Sequence, residues 1–205
     1  MSQIKLPPSK TFFQRSRMLH TWLFAIPTLG IFLISTPASS AEDLIQWIGH
    51  PLVLIGVLGR TWCTMYVGGR KNDQLVDQGP YSVVRNPLYV FSFIGITGVG
   101  ASTGMLTAVV LGMLAFAIYY PSIVRREEAY LLSRFGEAYD NYCRRVPRWI
   151  PNLSLWHSPT EMTVQPKLVG KTFRDAVWFL AVLPIFELLE HLHQAGYLPF
   201  LFRLY

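Results

Sequence analysis

The feature that most constrains this fold is an uncharged run of 37 residues, Leu88–Val124, which contains no Asp, Glu, Lys or Arg. At about 1.5 Å per residue, a helix of this length extends roughly 55 Å, nearly twice the hydrocarbon thickness of a bilayer, which is about 30 Å. The small residues Ala101–Gly104 divide the run near its middle. The pattern predicts a tight hairpin of two membrane-spanning helices.

Three further apolar runs extend this prediction to the rest of the chain. They are Leu19–Thr36, Leu44–Leu58 (continuing past Arg60 to Val67) and Ala176–Leu189, of which the last is interrupted by Pro184 and Glu187. Only 15% of the 205 residues are charged, against about 25% in soluble domains. We therefore predict an all-α, polytopic integral membrane helix bundle with about five transmembrane helices, in a single domain over residues 1–205.

The basic residues test this topology independently of hydropathy. All but Arg203 fall in segments that an N-terminus-inside arrangement places in the cytoplasm: Lys5, Lys10, Arg15, Arg17, Arg60, Arg70, Lys71, Arg85, Arg125, Arg126, Arg134, Arg144, Arg145, Arg148, Lys167, Lys171 and Arg174. The positive-inside rule predicts this split. The net charge of +6 is therefore a topology signal, and it argues against nucleic acid as a partner. We expect a multi-pass protein of a bacterial inner membrane, with its N-terminus in the cytoplasm.

The N-terminus also has a competing interpretation. Basic residues, an apolar core and Ala38-Ser39-Ser40-Ala41 resemble a secretory signal with its cleavage site. We favour a retained first span, because the apolar core is longer than usual in such signals and the rest of the chain is itself apolar.

The first cytoplasmic stretch, Gly68–Tyr89, is a turn-rich connector. Pro87 disfavours helical backbone at Asn86, so the next helix should begin at about Pro87. Asn86 could cap that helix or bind a polar ligand group. Arg85 could extend to the lipid headgroups.

The second cytoplasmic stretch, Arg125–Pro151, predicts an amphipathic helix along the inner leaflet. Its apolar stripe comprises Leu131, Phe135, Tyr139 and Tyr142. Gly136 within the stripe costs roughly 1 kcal/mol relative to Ala. A charge network with Arg125 and Arg126 would explain Glu127 and Glu128, and so would a ligand bearing an ammonium or sulfonium group. After this stretch, Asn152–Thr172 predicts an irregular linker.

The two stretches together resemble the isoprenylcysteine carboxyl methyltransferases, within the wider group of membrane methyltransferases that includes the phospholipid N-methyltransferases. The resemblance covers roughly Tyr66–Pro151. The motifs that carry it are Gly79-Pro80-Tyr81, Asn86-Pro87-Leu88-Tyr89, Glu127-Glu128, Phe135-Gly136, Tyr139, Tyr142, Val146-Pro147-Arg148 and Ile150-Pro151.

The resemblance implies S-adenosylmethionine as methyl donor, bound at the cytoplasmic side between the hairpin and the following helix. The implied cofactor contacts are Asp73, Gln74, Leu75, Val76, Tyr81, Asn86, Pro87, Leu88, Tyr89 and Glu127. The chain departs from the family in having Asn86 where His is common. It also has Ile123 where the prenylcysteine enzymes place a substrate-contacting Arg, which puts a prenylated carboxylate substrate in doubt.

Roles for these residues follow from the charge of the cofactor. Glu127 would pair with its ammonium group, and Tyr81 or Tyr89 would contact the sulfonium or the adenine ring. The candidate catalytic residues Arg85, Arg125 and Arg126 could neutralise an anionic headgroup. We find no obvious general base and predict no metal site, since the spacing of Glu187, Glu190, His191 and His193 is not diagnostic of one.

The predicted function is S-adenosylmethionine-dependent methyl transfer to a lipophilic or amphipathic acceptor that enters from the membrane lipids. A phospholipid amine or small-thiol methyltransferase is an alternative on the same scaffold. A non-catalytic membrane transporter or scaffold is an alternative of another class. Transporters tend to contain inverted repeats, and the sequence has no internal repeat. Glycines of the hairpin, among them Gly95 and Gly98, could allow close helix packing or admit a ligand.

Overall fold

The computed structural model describes residues 35–37, 42–70, 74–197 and 202–204. Almost all of the first predicted span, Leu19–Thr36, lies outside these residues, as do the alternative cleavage site and Asp73. The retained first span and the cofactor contact at Asp73 therefore stay predictions.

The described residues are predominantly helical, as predicted. The helices are α1 (Glu42–Val67), α2 (Pro80–Val83), α3 (Pro87–Ala101), α4 (Leu106–Phe135), α5 (Glu137–Arg145) and α6 (Pro166–Gln194), with a 3-10 turn at Leu153–Leu155. Two three-residue strands accompany the helices without changing the helical class. β1 (Ser35–Pro37) and β2 (Phe202–Leu204) pair in parallel, with Ser35 opposite Phe202.

The helix α4 has the properties of a membrane span. It is the one helix among the described residues that is both long enough and apolar enough to cross a bilayer, and α3 is a shorter apolar helix. Large apolar side chains on α4 face outward, among them Leu106, Leu114 and Ile118, the last of which is 79% exposed. Such a surface suits a lipid environment. The number of five spans stays a prediction.

The break in the long uncharged run lies where the sequence predicts it. Helix α3 ends at Ala101, and α4 begins at Leu106. Gly104 adopts a φ of +71°, which residues other than glycine rarely adopt. The hydroxyl of Thr103 donates to the Gly100 carbonyl at 2.7 Å and accepts from the Met105 amide at 3.2 Å. The Thr103 hydroxyl thus supplies hydrogen bonds within the turn itself, and α3 and α4 form a hairpin.

Glycines allow the backbones of α1 and α3 to touch. A Cβ atom built on Gly98 would lie 2.5 Å from the Val53 backbone nitrogen, and one on Gly49 would lie 2.4 Å from the Ser102 nitrogen. Helix α6 packs on the same part of α1, where Ala176 is buried against Val53 and Val57. At Gly98 the structure therefore favours close packing, one of the two roles that the sequence left open.

This contact predicts a strong effect of a single methyl group. Gly98→Ala is expected to lower the free energy of unfolding by about 1–3 kcal/mol, because backbone atoms of α1 occupy the space that the new Cβ needs. The matched control is Gly170→Ala in α6, where nothing lies within 4 Å of the built Cβ. Thermal unfolding of the purified protein in detergent measures both variants. Equal unfolding temperatures for the two would contradict this packing.

The predicted single amphipathic helix is instead two elements. Helix α4 continues past Val124 to Phe135, and Gly136, with a φ of +54°, separates it from α5. A right-handed helix cannot pass through this conformation, so the chain turns at Gly136. The predicted linker Asn152–Thr172 is also shorter than expected, because α6 begins at Pro166.

Candidate active site

The short helix α2 is held in place by the segment that follows α4. Gly79, with a φ of +58°, and Pro80 start the helix. The Tyr142 hydroxyl donates to the Tyr81 carbonyl at 2.8 Å, and the Arg85 amide donates to the Pro147 carbonyl at 2.8 Å. These bonds bring the two polar stretches of the sequence together.

A cleft opens between these stretches and the polar end of the hairpin. Its unfilled volume is about 600 Å³, part of it open to the outside. Its walls come from the end of α1, the connector, the start of α3, and helices α4 and α5. The lining residues are Val67, Gln74, Leu75, Val76, Tyr81, Arg85, Asn86, Pro87, Leu88, Tyr89, Glu127, Leu131, Tyr139 and Tyr142.

The cleft contains a hydrogen bond between the two helices of the hairpin. The Tyr89 hydroxyl donates to a carboxylate oxygen of Glu127 at 2.7 Å. Tyr89 lies in the first turn of α3, and Glu127 lies two-thirds of the way along α4. The bond positions a carboxylate and an aromatic ring side by side in the wall of the cleft.

Tyr81 brings an unsatisfied hydroxyl to the same place. Its side chain is buried, and the hydroxyl has no hydrogen-bond partner among the described residues. Its electrostatic neighbours include Glu127 and Tyr89. A buried hydroxyl without a partner is costly, so this atom is suited to bind a polar group of a ligand.

A buried ion cluster supports the cleft from behind. Glu128 is 7% exposed and lies 2.6 Å from Arg148 and 3.5 Å from Arg85, measured between charged atoms. The Asn86 amide donates to the same carboxylate at 3.2 Å and to the Arg148 carbonyl at 3.4 Å. Two cations and an amide thus hold one buried carboxylate, as burial of a charge requires.

The chain is similar to methyltransferases and to metal resistance proteins. A family model described as phospholipid methyltransferase matches residues 45–138. The chain is 38% identical over 199 residues to the nickel-cobalt-cadmium resistance protein NccN of Alcaligenes xylosoxydans xylosoxydans, across 94% of this chain and 91% of that protein. It is 34% identical over 94 residues to the protein-S-isoprenylcysteine O-methyltransferase of Schizosaccharomyces pombe, across 45% and 40% of the two chains. The chain belongs to one family with the resistance protein NccN, and part of it resembles the phospholipid and isoprenylcysteine methyltransferases.

A second resistance protein also matches most of the chain. The cobalt-zinc-cadmium resistance protein CzcN of Cupriavidus metallidurans is 40% identical over 159 residues, which cover 74% of this chain and 73% of that protein. No solved structure matches the chain. Both the family and the apolar helix α4 fit a membrane protein.

The cleft unites the described residues that the family resemblance implies. All nine described cofactor candidates, which exclude only Asp73, line it: Gln74, Leu75, Val76, Tyr81, Asn86, Pro87, Leu88, Tyr89 and Glu127. Of the three candidate catalytic residues, Arg85 lines the cleft. Arg125 and Arg126 are exposed and do not line it. The Arg125 side chain donates to the Pro121 carbonyl of its own helix at 3.2 Å.

Three expectations from the sequence are corrected by the ion cluster. Glu128 pairs with Arg85 and Arg148 rather than with Arg125 or Arg126. The Asn86 side chain makes no capping bond to α3, although α3 does begin at Pro87. The Arg85 side chain, 14% exposed, turns inward and donates to the Cys143 sulfur at 2.9 Å, so it does not extend to the lipid headgroups.

Several lining residues were not predicted as site residues. Tyr139 and Tyr142 are buried together with Val146, and Leu131 and Phe135 pack against them across the Gly136 turn. The signal for this cluster was the apolar stripe, which we assigned to the lipid surface. Glu128 and Arg148 were both part of the quoted motifs, but nothing in the sequence showed that they pair.

Burial of the phenols in and around the cleft predicts a pH effect. Burial raises the pKa of Tyr81, Tyr139 and Tyr142 above the ordinary value. The folded protein therefore holds these protons more tightly than the unfolded chain does. The protonated phenols contribute fully to the free energy of unfolding below a pH of about 10, and this contribution is lost as the pH rises above that value.

Ultraviolet titration of tyrosinate absorbance measures this effect. The native protein should contain a group of phenols that ionise only well above pH of about 10, with a falling unfolding temperature over the same range. The denatured protein should lack this late step, and Tyr142→Phe should reduce its amplitude. A native titration that coincides with the denatured one would contradict the burial of these phenols.

No group of three or more His, Cys, Asp or Glu side chains that could hold a metal ion occurs within residues 35–37, 42–70, 74–197 and 202–204. Glu190 accepts a hydrogen bond from the Gln46 amide at 2.9 Å. This bond links the C-terminal end of α6 to the N-terminal end of α1.

Proposed function

We propose that this protein is an S-adenosylmethionine-dependent methyltransferase that acts on a lipophilic or amphipathic acceptor at the cytoplasmic face of the membrane. The observation that carries the proposal is the cleft in which Tyr81, Tyr89 and Glu127 meet. The match to the phospholipid methyltransferase model and the similarity to an isoprenylcysteine O-methyltransferase support the reaction class.

The residues of the cleft fit the cofactor that the family implies. S-adenosylmethionine supplies a methyl group on a sulfonium and also carries an ammonium group and an adenine ring. The Glu127 carboxylate would hold the ammonium group, and the rings of Tyr81 and Tyr89 would contact the cationic sulfur or the adenine. The unsatisfied Tyr81 hydroxyl would gain a polar partner.

The chemistry requires positioning more than acid–base groups. Methyl transfer is an in-line displacement, so alignment of donor and acceptor supplies much of the rate enhancement. Arg85 is the proposed catalytic residue, because it lines the cleft and its Nε atom is buried without a hydrogen-bond partner among the described residues. It would orient an anionic acceptor group. Arg125 and Arg126, which lie outside the cleft, would instead attract anionic headgroups to the surface.

The proposed topology has about five spans, with the N-terminus and the cleft on the cytoplasmic side. The distribution of basic residues supports this orientation, because Arg85, Arg145 and Arg148 lie at the end of the bundle that contains the cleft.

Transfer of a labelled methyl group tests the proposal. Native membranes containing the protein, incubated with methyl-labelled S-adenosylmethionine, should yield a labelled product that extracts into organic solvent. An alkali-labile label would identify a carboxylate acceptor, whereas a stable label would identify an amine or a thiol. Tyr89→Phe should lower the rate about tenfold, because it removes the bond that positions Glu127. Tyr130→Phe, at an exposed tyrosine of α4, is the matched control.

If membranes that contain the protein yielded no more labelled product than membranes that lack it, the proposed reaction would be contradicted. Equal rates of methyl transfer for Tyr89→Phe and Tyr130→Phe would show that the cleft takes no part in the reaction.

A second proposed role follows from the relatives that match most of the chain. Both are named as resistance proteins for divalent metals, which include cobalt and cadmium. We propose that methylation by this protein contributes to tolerance of such ions. Cells that express the wild-type chain should grow at higher cobalt concentrations than cells that express Glu127→Gln. Equal growth of the two would contradict a link between methyl transfer and tolerance.

A further inference from the structure

The segment that follows α5 exposes large apolar side chains outside any α-helix. Ile150 is 81% exposed and Leu153 is 75% exposed. Together with Arg144 and Arg145 they line one shallow groove, whose unfilled volume is about 920 Å³, much of it open to the outside. Apolar side chains that are exposed together often mark a contact surface. The groove therefore offers a partner both an apolar side and a basic side.

The backbone of this segment is held in place by the connector before α3. The Asn152 amide donates to the Val83 carbonyl at 2.9 Å, and the Gly79 amide donates to the His157 carbonyl at 2.8 Å. These bonds lie on either side of the 3-10 turn. The exposure of the apolar side chains is thus a property of a segment that is fastened to the fold at both ends.

Two tryptophans place the segment at the level of the bilayer surface. Trp156 stacks on Trp62 of α1, with ring centroids 5.6 Å apart, and Trp149 contacts Phe116 of α4 edge to face at 6.5 Å. Trp62 lies five residues before the end of α1, which corresponds to about 8 Å along the helix axis. Tryptophan rings are enriched where the hydrocarbon meets the headgroups. The exposed apolar side chains of the groove lie between these two tryptophans in the chain.

The apolar stripe that the sequence assigns to the inner leaflet is not available for such a contact. Tyr139 and Tyr142 of this stripe are buried and pack with Val146 inside the fold. The groove, which lies directly after α5, supplies exposed apolar side chains instead.

The charge of the groove indicates the chemistry of its partner. Residues 141–160 contain three arginines and no Asp or Glu. The side chain of Arg144 is 78% exposed and that of Arg145 is 53% exposed, and each contacts a carboxylate that water also reaches. Exposed ion pairs of this kind contribute little, so an external phosphate group can compete with the carboxylate. The groove therefore suits an anionic partner.

Two other occupants have the wrong charge. A second copy of the chain would present the same arginines, and residues 1–34 of this chain contain basic residues but no Asp or Glu. A bilayer that contains anionic phospholipids has a negative surface above an apolar layer. Such a surface complements both sides of the groove.

We propose that the groove docks the protein onto the anionic surface of the membrane, as a contact additional to the membrane-spanning helices. Ile150 and Leu153 insert among the lipids, and Arg144 and Arg145 contact the phosphate groups. The proposal does not rest on the proposed function, because it requires neither the cofactor nor methyl transfer.

A fluorophore that responds to polarity tests this contact in nanodiscs that each hold one copy of the full chain. The thiol-reactive dye NBD is attached to Leu153→Cys in a Cys143→Ser background, and the other cysteine, Cys63, is fully buried. In phosphatidylglycerol discs the emission should shift to shorter wavelength and should be quenched by a doxyl-labelled lipid. The matched control is Ala138→Cys in the same background, an exposed position of α5 outside the groove, which should show neither effect.

The same dye tests the role of charge. The shift should be smaller in phosphatidylcholine discs, and it should also fall when Arg144→Gln and Arg145→Gln are combined. Ile150→Cys, labelled in the same way, should reproduce the result at Leu153→Cys. Equal emission from the dye at Leu153→Cys and at Ala138→Cys would overturn the docking surface. A shift of the same size in both lipids would overturn the anionic partner, and a shift confined to discs with two copies would assign the groove to self-association instead.

Discussion

Glu127→Gln is expected to weaken the binding of S-adenosylmethionine by about 100-fold, the loss typical of a hydrogen bond to a charged group. The substitution removes the negative charge but keeps the size of the side chain and its ability to accept the Tyr89 hydrogen bond. The loss therefore reports the charge itself. Glu127→Ala, which removes both, should abolish measurable binding. Isothermal titration calorimetry of the purified protein in detergent measures each affinity.

The matched control for this prediction is Glu161→Gln. Glu161 is an exposed carboxylate between the 3-10 turn and α6, and it does not line the cleft. Its removal changes the net charge of the protein by the same amount. If Glu127→Gln and Glu161→Gln bound the cofactor with equal affinity, Glu127 would have no role in recognising the ammonium group.

The second large effect is expected from Glu128→Ala, which should lower the free energy of unfolding by about 3 kcal/mol. Glu128 is buried, and its removal leaves the Arg85 cation and the Asn86 amide without their shared acceptor. Arg148 loses less, because its side chain is 45% exposed and water can replace the carboxylate. Thermal and denaturant unfolding in detergent measure the loss.

An exposed ion pair supplies the control for Glu128. Asp140 and Arg144 lie one turn apart on α5, 2.8 Å between charged atoms, with both side chains largely exposed. Asp140→Ala should change stability by only about 0.5 kcal/mol, because exposed pairs of this kind contribute little. Similar small losses for Glu128→Ala and Asp140→Ala would show that the buried cluster does not stabilise the fold.

The hairpin could be predicted because its cause is local. The lack of charge over Leu88–Val124 and the small residues at its centre predict two apolar helices with a turn. A hairpin returns the chain to the end of the bundle from which it started, so the polar segments before and after it lie close together. For this reason the family motifs around Tyr81 and Glu127, more than forty residues apart, line one cleft.

The break at Gly136 could not be predicted from the apolar stripe. Leu131, Phe135, Tyr139 and Tyr142 have the spacing of one continuous helix, and a left-handed φ leaves no mark on that spacing. In the folded chain these residues still meet, because the turn folds α5 back against the end of α4.

The partners of Glu128 also could not be predicted from the sequence. Arg125 and Arg126 are its near neighbours in the chain, but consecutive residues of a helix point about 100° apart. Glu127 consequently faces the cleft, whereas Glu128 faces Arg85 and Arg148. These arginines come from segments on either side of the hairpin, and only the tertiary fold brings them to the carboxylate.

Photolabelling tests the central claim most directly. Ultraviolet irradiation of the purified protein with methyl-labelled S-adenosylmethionine, followed by proteolysis, identifies the peptides that touch the cofactor. The label should appear in peptides that contain Tyr81 or Tyr89 and in peptides that contain Glu127, and excess unlabelled cofactor should suppress it. Labelling confined to segments remote from the cleft, such as α6, or none that unlabelled cofactor competes away, would contradict a cofactor site between the hairpin and α5.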